Sequence, residues 1–255
     1  MIKKIALSFI KKLGYDIIKP DKRLIVDGLP ADFDKSIIKT YKKVKPYTLT
    51  TPERIAALCN AVNYITENNI EGDIVECGVW RGGSSMAAID TLVNNKDLSR
   101  NIYLYDTFEG MSAPTEDDKV LSGTSALELM NTSDKEDPTS VWCYSTIEEV
   151  QNNVRMLDYP DEKIFYIKGK VEDTIPATLP GKIAILRLDT DFYESTRHEL
   201  HYLYPLLVQG GVLIIDDYGH WEGARKAVDE YIKQHKLPVL LNRIDYTGRI
   251  AIKWK

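Results

Sequence analysis

The chain has 255 residues and a formal net charge of −5, with 44% apolar and 28% charged residues. This balance suits a soluble globular protein and excludes disordered, fibrous and disulfide-scaffold chains. One large α/β domain fits the length.

The charge is uneven along the chain. Residues 1–46 carry twelve Lys or Arg against five Asp, so this segment is +7 and the remainder −12. The front end reads as a basic helical arm. It is either a solvated face or a contact for an anionic partner such as nucleic acid or a membrane surface. Lys3 and Lys4 precede a short apolar stretch, residues 5–10, broken by Ser8 and closed by Lys11 and Lys12. A signal peptide needs a longer apolar region and a cleavage site, and no run approaches the ~18–20 residues of a membrane span. The expectation is a mature cytoplasmic protein without a transmembrane segment. Cys59, Cys77 and Cys143 are odd in number and widely spaced, which suits a reducing compartment rather than a disulfide framework or a zinc site.

A helix starts near residue 51. Thr51 can cap it, Pro52 suits the first helical position, and Thr50 to Glu53 has capping-box spacing. Ile55, Leu58, Val62 and Ile65 follow as one apolar stripe. From residue 73 onward short apolar runs alternate with helical stretches. Strands are predicted at 73–79, 102–108, 164–168, 183–188 and 212–215, and helices at 84–94, 147–157, 194–207 and 223–235. Such alternation predicts a parallel, doubly wound sheet with helices on both faces, and the unbroken run Val212-Leu213-Ile214-Ile215 suits a strand buried on both sides. At the end, 239–246 and 249–254 flank Thr247-Gly248 with no room for a helix, which predicts an antiparallel hairpin and a total of seven strands.

Residues 109–145 break the rhythm. Between Glu109 and Asp137 lie eight acids against Lys119 and Lys135. An insertion this long is a functional lid or a disordered loop, and its place after the second strand, at the ligand end of an open α/β sheet, favours a substrate lid.

Glycines where the first strand meets a helix, Gly78, Gly82 and Gly83, let a ligand approach the backbone, and free amides there favour an anionic group; a plain tight turn reads the same way. The spacing is not G-x-G-x-x-G. Asp106, at the tip of the second strand, suits ribose hydroxyls or a local cap. The most informative residues are four aspartates at the ends of two apolar strands: Asp189 and Asp191, then Asp216 and Asp217. Burying several carboxylates together is costly, and a hard divalent cation would offset the repulsion. Helix capping accounts for one acid per strand, not two. If the chain turns at Thr190, one acid could bind metal while the other reaches substrate. His220 lies in the same loop, as a ligand, a proton carrier, a substrate contact or simply a polar loop residue, while His198 and His201 read as surface or packing residues.

Together these segments resemble the macrocin O-methyltransferase family, which includes mycinamicin- and novobiocin-pathway sugar methyltransferases. The matching stretches are 75–85 (VECGVWRGGSS), 105–118 (YDTFEGMSAPTEDD), 168–176 (KGKVEDTIP), 183–196 (IAILRLDTDFYEST) and 210–231 (GGVLIIDDYGHWEGARKAVDEY), and the resemblance spans about 47–235. It implies one α/β domain of the class I, Rossmann-like methyltransferase fold over 47–255. Its sheet is seven-stranded and mostly parallel, with a C-terminal antiparallel hairpin. It further implies S-adenosyl-L-methionine and Mg²⁺ as cofactors, a sugar, glycan or glycosylated secondary metabolite as the hydroxyl substrate, and a homo-oligomer.

Carried over by position, Asp189, Asp216 and Asp217 look like metal ligands and Asp191 like the general base. Glu76, Gly78, Val79, Trp80, Arg81, Gly82 and Ser84 would hold the methionyl part of the cofactor, Asp106 with Thr107 and Phe108 its ribose side, and Val171 and Glu172 its adenine. Tyr47, Met111 and His220 would meet the acceptor. Thr190 departs from the pattern, since many members carry Gly there. The implied mechanism is direct methyl transfer, with the metal chelating a vicinal diol and Asp191 taking the proton. An NAD-type oxidoreductase on a similar sheet would use Gly78 and Asp106 but leave the aspartates idle. A non-catalytic binding module would rest on the basic arm, yet the chain lacks the aromatic-basic platform of RNA binders, so no nucleic-acid partner is expected.

Overall fold

The computed structural model describes residues 25–26 and 28–254. The chain divides into two compact units, 1–38 and 39–255. In the first, β1 (Ile25–Val26) and β2 (Leu29–Pro30) form a short antiparallel ladder that the periodicity did not suggest. The expected arm over 1–46 falls partly on residues 1–24 and 27, which lie outside the described ones. Helix α1 (Lys35–Val44) follows.

The larger unit is built on one sheet. Helix α2 (Pro52–Glu67) starts as predicted, with the Thr51 hydroxyl accepting the Arg54 amide and Pro52 in the first turn. Its stripe of Ile55, Leu58, Val62 and Ile65 is buried. Then come β3 (Asp73–Cys77), α3 (Gly83–Asn94), β4 (Ile102–Asp106), α4 (Ala126–Thr132), α5 (Ile147–Val154), β5 (Ile164–Lys168), α6 (Val171–Thr174), β6 (Ile183–Leu188), α7 (Tyr193–Leu203), β7 (Leu207–Ile215), α8 (Glu222–His235), β8 (Asn242–Arg243) and β9 (Arg249–Ile252). The strand order is β5-β4-β3-β6-β7-β9-β8, parallel except where β9 runs against β7 and β8. This is the seven-stranded, mostly parallel sheet with an antiparallel C-terminal pair that the strand pattern and the family resemblance implied.

Several boundaries differ from the sequence reading for local reasons. β3 stops at Cys77 because Gly78 takes φ +83°. α7 gives way to a 3-10 turn at Tyr204–Leu206, where Pro205 cannot continue the ladder. β7 begins at Leu207, five residues before the apolar run. The terminal hairpin turns over 244–248, with the Ile244 amide donating to the Gly248 carbonyl at 3.0 Å, so β8 keeps only two residues.

Every residue of β6 is buried, and each fully buried Ile or Leu there contributes about 1.5–3 kcal/mol. The strand order reverses between β3 and β6 at the sheet centre. Their carboxyl ends therefore open a crevice, with Gly78 on one side and Asp189 on the other.

Two glycines let the backbone close around this crevice. A Cβ on Gly78 would lie 2.0 Å from the Asp189 carbonyl oxygen, and one on Gly83 would lie 2.4 Å from the Tyr47 carbonyl oxygen. Gly78→Ala combines that clash with a positive φ, so a loss of about 2–4 kcal/mol is expected. Urea denaturation checks it, and an unchanged midpoint would show that the β3 and β6 ends separate easily.

Candidate active site

The crevice opens into a cavity of about 530 Å³, in the range of small-molecule sites. One wall is the turn after β3. Asp106 braces this turn: one carboxylate oxygen accepts the Val79 amide at 2.6 Å and the Trp80 amide at 3.1 Å, and the other accepts the Phe108 amide at 2.6 Å. Burial nevertheless holds its pKa above the ordinary value. Gly78, Val79, Trp80, Ser84, Asp106, Thr107, Val171 and Glu172 all line the cavity, as do Tyr47, Met111 and His220 on other sides.

Four residues singled out from the sequence lie behind this lining. Glu76 is buried, takes a hydrogen bond from Ser85 and pairs with Arg187 at 2.6 Å; burial pushes its pKa up to about 7. Arg81 pairs with Glu149 and sits over the Tyr47 and Trp80 rings. Gly82 is the left-handed N-cap of α3. Phe108 is 2% exposed, packed in the core at φ +51°. These four shape the turn rather than face the opening.

The aspartates separate into two groups. The strand ends at Leu188, so Asp189 and Asp191 do not share a strand face; the chain turns at Thr190, and Asp191 adopts φ +68°. Carboxylate oxygens of Asp189, Asp191 and Asp217 come within 4.8 Å of one another. Asp216, 2% exposed, points instead at two guanidiniums: Arg187 donates to one oxygen at 2.6 Å and Arg54 to the other. Neither Asp191 nor Asp217 caps a helix, because α7 and α8 begin after Phe192 and Trp221.

Burial and mutual repulsion raise the pKa values of the converging acids. Asp189 and Asp217 lie well above the ordinary range, first from desolvation and then from neighbouring carboxylates, with Arg187 opposing at Asp189. Asp191 is pushed up to about 7, mainly by desolvation. The Asp217 Oδ2 is buried with no hydrogen-bond partner among the described residues. An all-oxygen donor set with an orphaned lone pair fits a hard cation such as Mg²⁺.

Residues without an assigned role in the sequence reading complete the site. Arg187 is the cross-strand neighbour of Glu76 in the β3–β6 register and donates to Glu76, Asp189 and Asp216, each at 2.6 Å. An arginine inside the apolar run 183–188 was the available signal, since a buried guanidinium requires carboxylate partners. Arg54 joins Asp216 to Asp245, which it meets at 3.0 Å, and so ties α2 to the hairpin loop. Another side of the cavity is walled by Leu49, Leu129, Val141, Trp221 and Tyr246. The inner face of segment 109–145 is apolar there: Ala126 and Met130 pack with Phe192, Trp221 and Ala224. Burial and the nearby Arg54 lower the His220 pKa, and its ring lies 3.3 Å from the Tyr246 hydroxyl.

Comparison with known proteins shows the family. The macrocin-O-methyltransferase (TylF) family profile matches residues 42–254. The chain is 31% identical over 245 residues to an 8-demethyl-8-(2,3-dimethoxy-alpha-L-rhamnosyl)-tetracenomycin-C 4'-O-methyltransferase of Streptomyces olivaceus, covering 95% of this chain and 90% of that protein. It is 34% identical over 202 residues to a demethyldecarbamoylnovobiocin O-methyltransferase of Streptomyces niveus, covering 79% and 74%. Among solved structures, the O-methyltransferase NovP superposes with a TM-score of 0.72 at 31% identity, covering 82% of this chain and 83% of NovP. The chain thus belongs to the macrocin O-methyltransferase family of S-adenosylmethionine-dependent O-methyltransferases.

Proposed function

We propose that this enzyme methylates a sugar hydroxyl on a glycosylated secondary metabolite, with a divalent cation at the aspartate cluster and Asp191 as the general base. The observation that carries the reading is the convergence of Asp189, Asp191 and Asp217 at the edge of the cavity that opens beside the Gly78 turn. Asp189 and Asp217 are the residues that would hold the cation. Asp216 would join them only on release from Arg54 and Arg187.

When bound, S-adenosylmethionine supplies an electrophilic methyl group, and Mg²⁺ supplies a Lewis acid that acidifies the acceptor hydroxyl. The chain does the rest. The Gly78–Trp80 turn, braced by Asp106, orients the cofactor, and the cavity walls align the oxygen with the methyl carbon. The apolar side chains of Met111, Leu129, Val141 and Trp221 keep water from the reacting centre. Asp191 accepts the proton that the hydroxyl releases. The two curated relatives act, by their names, on a rhamnosyl-tetracenomycin and on a novobiocin precursor, which supports a glycosylated acceptor.

The test is methyl transfer by the purified chain to a rhamnosyl-polyketide glycoside and to its free aglycone. Methylation on a sugar oxygen, located by NMR, is expected; methylation of the aglycone alone overturns the reading. Chelation with EDTA should lower turnover by at least about 100-fold, the scale of a few kcal/mol of Lewis-acid stabilisation, and Mg²⁺ should restore it. In Asp217→Ala, metal stimulation should vanish. Full activity in EDTA would remove the cation from the mechanism and leave methyl transfer standing.

A further inference from the structure

Glu199 on α7 is a buried acid that the mechanism above does not use. It is 0% exposed, and neither carboxyl oxygen has a hydrogen-bond partner among the described residues. The Thr190 hydroxyl and the Cys77 thiol face it, and the Thr190 hydroxyl is itself buried and unpaired. Among the described residues Glu199 makes no salt bridge, and the neighbouring charges that raise its pKa, Glu172 and Asp189, are both acids. An ionised carboxylate in such a place, with no cation beside it, is untenable, and burial holds the Glu199 pKa well above the ordinary range. A neutral carboxylic acid has one O–H to donate and a carbonyl oxygen to accept. A threonine hydroxyl can do both, so the two groups are chemically complementary.

Thr190 is the middle residue of the turn that presents Asp189 and Asp191. The backbone of this turn is held on either side. The Asp189 amide donates to the Cys77 carbonyl at 2.8 Å, and the Thr190 carbonyl accepts from the Phe192 amide at 2.8 Å. Between these bonds Asp191 sits at φ +68°, a conformation that a residue with a Cβ keeps only when its surroundings enforce it. From α7 the Ser195 hydroxyl donates weakly to the Thr190 carbonyl at 3.4 Å, and the Thr190 side chain is the further anchor that the turn offers on that side.

We propose that Glu199, as a neutral carboxylic acid hydrogen-bonded to the Thr190 hydroxyl, is a positioning residue that braces the Asp189–Thr190–Asp191 turn from beneath and sets the spacing of the two flanking carboxylates. It acts through Thr190 and touches neither cofactor nor acceptor. Its consequence for a cation rests on the function proposed above; the hydrogen-bonded pair itself does not.

Infrared difference spectroscopy on the full-length protein, wild type minus Glu199→Gln at about pH 8, far above the ordinary carboxylate range, tests the pair. The carbonyl band of a neutral carboxylic acid should be present in the wild type and absent in the variant. Thr190→Val, nearly isosteric and unable to hydrogen-bond, should shift that band. Calorimetric titration with Mn²⁺ alone tests the positioning role. Thr190→Val and Glu199→Leu should weaken Mn²⁺ binding about tenfold, the low end for a residue behind a metal site. Glu199→Gln, which keeps a donor and an acceptor, should restore it to near the wild-type value.

No carboxylic-acid band in the wild type overturns the proposal. So does Thr190→Val with both the band and the Mn²⁺ affinity unchanged, a result that remains readable even if Glu199→Leu does not fold. A wild-type protein that binds no Mn²⁺ would overturn the metal reading, and the infrared shift in Thr190→Val alone would then decide for or against the brace.

Discussion

Asp191→Asn should lower kcat by about 10²–10⁴, the usual contribution of a positioned general base. The side chain keeps its size and loses its ability to take a proton. Asp191 lies in the left-handed region next to Thr190, within reach of Asp189 and Asp217, and among the described residues no hydrogen bond joins it to the Gly78–Trp80 turn that would hold the cofactor. Affinity for S-adenosylhomocysteine should therefore stay near the wild-type value. Single-turnover kinetics separate the chemical step from binding. A variant with wild-type kcat would remove Asp191 as the base and shift attention to Asp189 or Asp217.

The second large effect is on stability. Arg187→Met should destabilise the fold by about 3–5 kcal/mol, because one guanidinium, 3% exposed, pairs with Glu76, Asp189 and Asp216 together. Methionine fills much of the space and leaves Glu76 and Asp189 without their counter-charge, while Asp216 keeps Arg54. At about 2–4 °C per kcal/mol for a chain of this size, Tm should fall by roughly 10 °C. Arg187→Lys should recover part of the loss, since a point charge cannot match a planar fork serving three acceptors. A Tm within about 2 °C of wild type, less than one kcal/mol by the same scale, would show that the acids relax to another partner.

Much of the site was legible in the chain because its chemistry is written in contiguous motifs. Gly78, Asp106, Val171 and the paired aspartates sit at the ends of apolar runs, and a parallel sheet sends all such ends to one edge. The lining of the cavity by these residues and by Tyr47, Met111 and His220 follows from that rule together with the family pattern. What the chain did not reveal is who faces whom. Glu76 stands in the second position from the end of its strand, next to the glycine turn, and reads as a cofactor contact. The β3–β6 register places it opposite Arg187 instead, beneath the cavity floor. Asp216 and Asp217 are adjacent and chemically identical, yet one turns to two arginines and the other to the aspartate cluster.

The sequence alone determined the sheet class, the edge on which the site lies and the acidic character of its floor, because periodicity and strand-end chemistry are local. Only the tertiary structure decided which carboxylates converge, which are neutralised by Arg54 and Arg187, and that Glu199 lies unpaired behind Thr190. Those outcomes depend on strand register, on the turn at Thr190 and on α7 crossing behind it. Such contacts join residues far apart in the chain, and no pattern within one segment encodes them.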